Sequence, residues 1–91
     1  MTHSLDEYRA KLVIKILYAD SAEAIERYIE TAMHALTNRG VNGYIIARFI
    51  AKVMNQFEVI NLSAPEDQRG NIIVAKKYLD KVIESVMSPA G

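Results

Sequence analysis

Three side chains with metal-binding chemistry recur along one stretch of the chain. Glu26, Glu30 and His34 are spaced four residues apart, so on a helix they would project from one side as two carboxylates and an imidazole. Carboxylate di-metal bundles, however, collect their ligands from several helices through Glu-x-x-His pairs, and no other segment supplies such a pair. The sequence therefore favours a solvated helix face here, and we expect neither a bound metal nor a cofactor.

Side chains for nucleophilic catalysis are scarce. The chain has two histidines, His3 and His34, no cysteine, and neither a Gly-x-Ser-x-Gly elbow nor a phosphate-binding glycine loop. We expect no catalytic residue and no enzymatic activity. One alternative stays open: a small helical enzyme or ligand-binding bundle could hold an anionic substrate with Arg48 and Lys52.

A glycine-bearing corner lies between two apolar-periodic segments at residues 35–49. A helix, a corner and a second helix with apolar anchors at Val41, Ile46 and Phe49 is similar to a helix-turn-helix, whose second helix enters the DNA major groove. A DNA-binding protein of this kind is the main alternative function. Its contacts would come from three cations, Arg39, Arg48 and Lys52. An ordinary corner between bundle helices has the same pattern and is the interpretation we favour, so we expect no nucleic-acid partner.

Composition restricts the partner and the compartment. The 91 residues include 11 basic and 11 acidic side chains, so the net charge is zero and no overall field attracts nucleic acid or anionic lipid. The first residues lack the basic and apolar regions of a secretory signal, and no apolar run reaches the roughly 18 to 20 residues of a spanning helix. We expect a cytoplasmic protein with no membrane partner.

Tyrosine is common in this chain, which has five Tyr, two Phe and no Trp. Tyrosine suits interfaces because its ring buries apolar area while its hydroxyl keeps a polar partner. Further apolar side chains lie off the main apolar stripes of the first and last predicted helices. We therefore predict an interface that includes five residues: Ile14, Tyr18, Tyr44, Val74 and Tyr78.

Helix start and stop signals divide the sequence into four apolar-periodic segments. Asp20 and Ser21 are suitable N-caps, Gly40 can adopt the left-handed conformation that closes a helix, Asn42 offers another cap, and Pro65 suits a first helical turn. The expected helices cover residues 5–19, 22–38, 43–62 and 65–87, followed by a tail at 88–91. No segment has the alternation of a strand, and the short connections favour antiparallel neighbours.

The predicted fold is all-α, a single domain over residues 1–91 that forms a small four-helix up-down bundle. The third helix is the most apolar, so we expect it to be central, with a polar strip of Arg48, Lys52 and Asn55. In an alternative arrangement the first two helices fuse into one long rod. Gly70 predicts a break in the fourth helix or a close contact between helices.

A chain of this length buries only about 60 to 65% of its unfolded surface, and association commonly supplements so thin a core. We predict a non-enzymatic helical module for protein association, a symmetric homodimer built on the third helix or on the flanks of the first and fourth. Another protein is the alternative partner. Aliphatic and tyrosine side chains would drive assembly, and the polar strip would fix the register or meet acidic side chains.

Overall fold

The computed structural model describes residues 4–87, and nearly all of them belong to four α-helices. The helices are α1 (Ser4–Leu17), α2 (Ala22–Asn38), α3 (Gly43–Asn61) and α4 (Glu66–Met87). No strand occurs between residues 4 and 87. The predicted all-α four-helix bundle is confirmed, whereas the predicted tail at 88–91 lies outside the described residues.

α1 and α2 are separate helices, so the alternative of one long rod is wrong. α1 ends at Leu17, before the predicted end at residue 19. Ser21 has an extended backbone, with φ −157° and ψ 163°, and its side chain accepts a hydrogen bond of 3.1 Å from the backbone N–H of Ala24. Ser21 is therefore the N-cap of α2, and the helical hydrogen bonds are interrupted before it.

The corner between α2 and α3 uses the glycine and the asparagine expected from the sequence. Gly40 has a φ of 81°, in the left-handed region. The N–H groups of Gly40 and Val41 donate hydrogen bonds of 3.0 and 3.1 Å to carbonyls in the last turn of α2, which is the Schellman arrangement. Asn42 then caps α3 by accepting a hydrogen bond of 2.9 Å from the backbone N–H of Ile45.

Two contacts between α3 and α4 show their relative direction. Gly43 at the start of α3 lies against Val86 at the end of α4, and Glu58 near the end of α3 pairs with Lys76 in the first half of α4. α3 and α4 are therefore antiparallel, and the short connection at residues 62–65 joins them as a helical hairpin.

Viewed along their axes, the four helices lie at the corners of a rhombus. α1 and α4 occupy the two opposite corners that are close together, and α2 and α3 occupy the two that are far apart. α1 and α4 each contact all three other helices, whereas α2 and α3 barely touch. The prediction that α3 is central is therefore wrong, although α3 contributes more buried side chains than any other helix. The apolar face of α3 packs on α1 and α4 together, so its opposite face is left at an outer corner.

The core is apolar throughout the described part of the chain, where no polar or charged side chain is buried. Its large, fully buried side chains come from all four helices: Ile16, Ile25, Ile29, Leu36, Ile50, Phe57, Ile72 and Leu79.

Within residues 4–87, no helix combines the length and the apolar character needed to cross a membrane.

Gly70 does not have either of its predicted roles. α4 continues through Gly70 without interruption, and a Cβ built on this residue would meet no atom within 4 Å. The prediction of a break or a close helix contact is therefore wrong. The glycine lies on the solvent side of α4, where an alanine would also fit.

Candidate interaction surface

The side of α3 that faces away from α1 and α4 is a continuous exposed strip. We call it the outer face of α3 and define it by six residues at helical spacing: Tyr44, Arg48, Ala51, Asn55, Val59 and Leu62. Spacings of three and four residues place these side chains on one side of the helix. Lys52 borders the strip on the side of α1, and Glu58 borders it on the side of α4.

Large apolar side chains occupy both ends of this outer face. Tyr44 in the first turn is 65% exposed, and Val59 and Leu62 at the other end are 67% and 83% exposed. The middle is polar or small, since Arg48 and Asn55 flank Ala51. The strip therefore offers three unburied apolar side chains and a central region that a second surface could approach closely.

Charge is distributed unevenly along α3. Arg48 and Lys52 lie in its first half, Glu58 lies in its second half, and α3 has no other charged residue. The guanidinium of Arg48 lies over the ring of Tyr44, 6.0 Å from the ring centroid, so a cation–π contact connects the polar and apolar parts of the strip. The helix dipole has the same polarity, positive at the start and negative at the end.

The predicted polar strip lies on the surface. Arg48, Lys52 and Asn55 are all exposed, and Arg48 and Asn55 belong to the outer face of α3. Arg48 and Lys52 also line a depression of about 190 Å³ between α3 and α1. Arg9 lies in the same depression and is held by Asp6 at 2.8 Å.

The five predicted interface residues do not form one surface. Ile14 and Tyr18 are 56% and 71% exposed on the side of α1 that faces away from the bundle, and Tyr44 lies on the outer face of α3. Val74 and Tyr78 are half-buried and face α2. Helical spacing predicted that each pair shares a face, but it could not predict that these faces point in different directions.

Three exposed apolar residues were not predicted as surface residues: Val59, Leu62 and Ile73. The expectation that α3 is central implied burial for most of its apolar side chains, which include Val59 and Leu62. Their spacing from Arg48 and Asn55 is the signal that could have revealed them, since it places all four on the same side of α3. Ile73 lies on α4, away from this strip.

Tyr78 connects α4 to α2. Its hydroxyl donates a hydrogen bond to the carboxylate of Glu30. This hydrogen bond, partial desolvation and the negative charges of Glu30 and Glu26 together raise the pKa of Tyr78 to about 12.

Within residues 4–87, no three His, Asp or Glu side chains converge on a site that could hold a metal ion.

The corner at residues 35–49 leaves only part of α3 accessible to DNA. A helix-turn-helix reads bases with the first turns of its second helix. In this chain Ala47 is buried, while Gly43, Tyr44 and Arg48 are exposed. α2 and α3 barely touch, so the corner also lacks the close helix pair that supports a recognition helix.

Asn71 has a structural role that the sequence did not reveal. Its side-chain amide nitrogen lies 3.0, 3.0 and 3.1 Å from the backbone carbonyl oxygens of Ile16, Leu17 and Ala19. The two N–H groups of this nitrogen donate to the three oxygens, so one N–H is shared between two of them. The last carbonyls of a helix have no partner within that helix. A side chain of α4 thus caps the end of α1, which only the relative position of the two helices could show.

Comparisons of the chain with protein-family models, with curated proteins and with solved structures find no match. The surfaces of the bundle itself are therefore the features that bear on function.

Proposed function

We propose that this chain is a self-associating helical module, in which two copies pair through the outer faces of α3. The observation that carries the proposal is the distribution of side chains along this face. It is apolar at both ends, small at its centre, positive in its first half and bordered by a negative charge in its second half. The role is assembly, and it requires no catalytic residue.

The distribution of charge favours an antiparallel pair. With a twofold axis near the middle of α3, Tyr44 of one copy meets Leu62 of the other, and Arg48 approaches Glu58. The small side chain of Ala51 lies opposite Asn55 and allows the helices to pack closely. A parallel pair would instead align like charges and like ends of the helix dipoles, which is unfavourable.

Assembly would be driven by burial of the exposed apolar side chains. Val59, Leu62 and the ring of Tyr44 lose contact with water when the two strips pack. The same patch serves both copies, as the symmetry of a homodimer requires. The charges then act mainly on the choice of partner and on register, because like charges that face each other are costly.

Charge reversal across the pair tests the proposal. We expect Arg48→Glu and Glu58→Arg each to weaken the dimer by about tenfold or more, because each places like charges opposite each other. Glu58→Arg also removes the ion pair with Lys76 of the same chain, but that pair is exposed and contributes little to the stability of the fold. In an antiparallel heterodimer of the two variants, both contacts between positions 48 and 58 join opposite charges, so the mixture should form a heterodimer more tightly than either variant pairs with itself. Sedimentation velocity of each variant and of the mixture measures these affinities.

Arg69→Glu is the matched control, since Arg69 is an exposed arginine on α4 outside the proposed interface. It makes the same change in net charge as Arg48→Glu and should leave the dimer unchanged. If Arg69→Glu weakens the dimer as much as Arg48→Glu, the effect is one of net charge. If the two interface variants do not recover when mixed, the antiparallel register is wrong.

A further inference from the structure

A second surface feature, independent of the proposed dimer, lies between α1 and α2. It is an open cleft of about 310 Å³, with apolar side chains from both helices at its base. Leu12 and Ala32, both nearly buried, form part of this base, and Tyr8 and Tyr28 line the cleft beside them. The volume is at the lower end of the range for small-molecule sites, which is about 300 to 1,000 Å³.

Tertiary contacts hold both tyrosine rings in place. Tyr8 packs against Phe49 of α3, with ring centroids 6.2 Å apart. Tyr28 lies beneath the ammonium group of Lys15, which is 5.6 Å from the ring centroid. The aromatic part of the cleft is therefore formed before any ligand arrives, which lowers the entropic cost of binding.

The charged side chains around the cleft are all positive. They are Lys11, Lys15 and Arg27, and no carboxylate lines the cleft. None of these three forms an ion pair with another residue of the described range 4–87. In a chain of zero net charge this is a local concentration of positive charge over an apolar base, and it would attract an anion.

We propose that the α1/α2 cleft binds a small organic anion that has a flat apolar body and a phosphate or carboxylate group. The body would lie on Leu12 and Ala32 between the two tyrosines. The anionic group would face Lys11, Lys15 and Arg27, whose charges are exposed at the mouth of the cleft. Arg27 can hold a phosphate or carboxylate with two parallel hydrogen bonds.

The depression between α1 and α3 is a weaker candidate for the same ligand. Its volume is about 190 Å³, and a carboxylate lies within it because Asp6 binds Arg9 at 2.8 Å. An entering anion would compete with Asp6 for that arginine. The α1/α2 cleft has the larger volume and no such competitor.

Naphthyl phosphate is a suitable probe because it combines a flat apolar ring with one phosphate. We expect it to bind the whole chain with a Kd near or below about 1 mM, as measured by isothermal titration calorimetry. Naphthol and inorganic phosphate each supply only one half of the interaction, and each should bind at least about tenfold more weakly. Equal binding of naphthol and naphthyl phosphate would contradict a role for the cations.

Two pairs of variants place the probe in the cleft. The double variant Lys11→Gln/Arg27→Gln should weaken binding of naphthyl phosphate about tenfold or more. Its control is the double variant Lys77→Gln/Lys81→Gln, which makes the same change in net charge outside the cleft and should not weaken binding. Thr31→Glu adds a carboxylate to the lining of the cleft and should also weaken binding. Its control is Thr37→Glu, the same substitution at an exposed position of α2 outside the cleft.

The outcomes separate this proposal from the proposed dimer. Sedimentation of the same variants should show an unchanged dimer, because none of the substituted residues lies on the outer face of α3. The cleft proposal is overturned if naphthyl phosphate does not bind, or if the cleft variants and their controls bind it equally. Circular dichroism spectra that match the wild type ensure that a loss of binding is not a loss of fold.

Discussion

The hydroxyl of Tyr78 must stay protonated to donate its hydrogen bond to Glu30. Ionising it would remove the bond and place a second negative charge beside that carboxylate. The hydrogen bond is therefore the largest of the causes that raise the pKa of Tyr78 from its ordinary value of 10.0 to about 12 in the folded chain. A side chain that was predicted to lie at an interface thus contributes to the contact between α2 and α4.

This shift in pKa predicts how stability depends on alkaline pH. Between about pH 10 and about pH 12 the unfolded chain has lost the proton of Tyr78 while the folded chain retains it, so the free energy of unfolding decreases as pH rises. The contribution of Tyr78 is complete below about pH 10. Urea denaturation across this range should show a decline that is smaller in Tyr78→Phe. An identical decline in both proteins would contradict the assignment.

Removal of the Asn71 amide should destabilise the bundle. Asn71→Ala removes the side-chain donor from carbonyls at the end of α1, at an expected cost of about 1 to 2 kcal/mol. Asn71→Asp should cost more, because a carboxylate would face the same carbonyl oxygens. Asn61→Ala, at an exposed position, is the control and should have little effect on urea denaturation. Equal effects at both positions would mean that Asn71 does not act as a cap.

At the scale of the elements, local signals predicted most of the helix boundaries. Ser21, Gly40 and Asn42 act through hydrogen bonds to residues only three or four positions away, so the sequence contains the necessary information. The end of α1 was predicted less well, because apolar residues continue beyond Leu17 and its cap, Asn71, lies on a distant part of the chain. Tertiary contacts of that kind have no local signature.

The two glycines that lie in open space should respond to alanine in opposite directions. Gly40 has a φ of 81°, so Gly40→Ala should cost about 1 to 2 kcal/mol, the strain of a left-handed L-residue. Gly70 is inside α4, so Gly70→Ala should stabilise the chain by about 0.5 to 1 kcal/mol. Thermal or urea unfolding of both variants measures the difference. A loss of stability at both positions would contradict this explanation.

At the scale of the whole molecule, the arrangement of the helices determines which residues form the candidate site. The sequence identified the polar strip of α3 because Arg48 and Asn55 share a helical face. It did not show that Val59 and Leu62 extend this face as exposed apolar residues, since strong apolar character suggested burial. α3 lies at an outer corner of the bundle because α1 and α4 pack against each other between α2 and α3. That position depends on contacts among all four helices, which the sequence of α3 alone does not show.

The solution mass of the wild-type chain, measured by light scattering across a dilution series, tests the central claim most directly. We expect twice the chain mass of 10.2 kDa at high concentration and a decrease towards 10.2 kDa on dilution. Leu62→Asp should move this transition to higher concentration and leave the fold intact, because Leu62 is 83% exposed. A mass of 10.2 kDa at every concentration, or a dimer unaffected by Leu62→Asp, would contradict pairing through the outer face of α3.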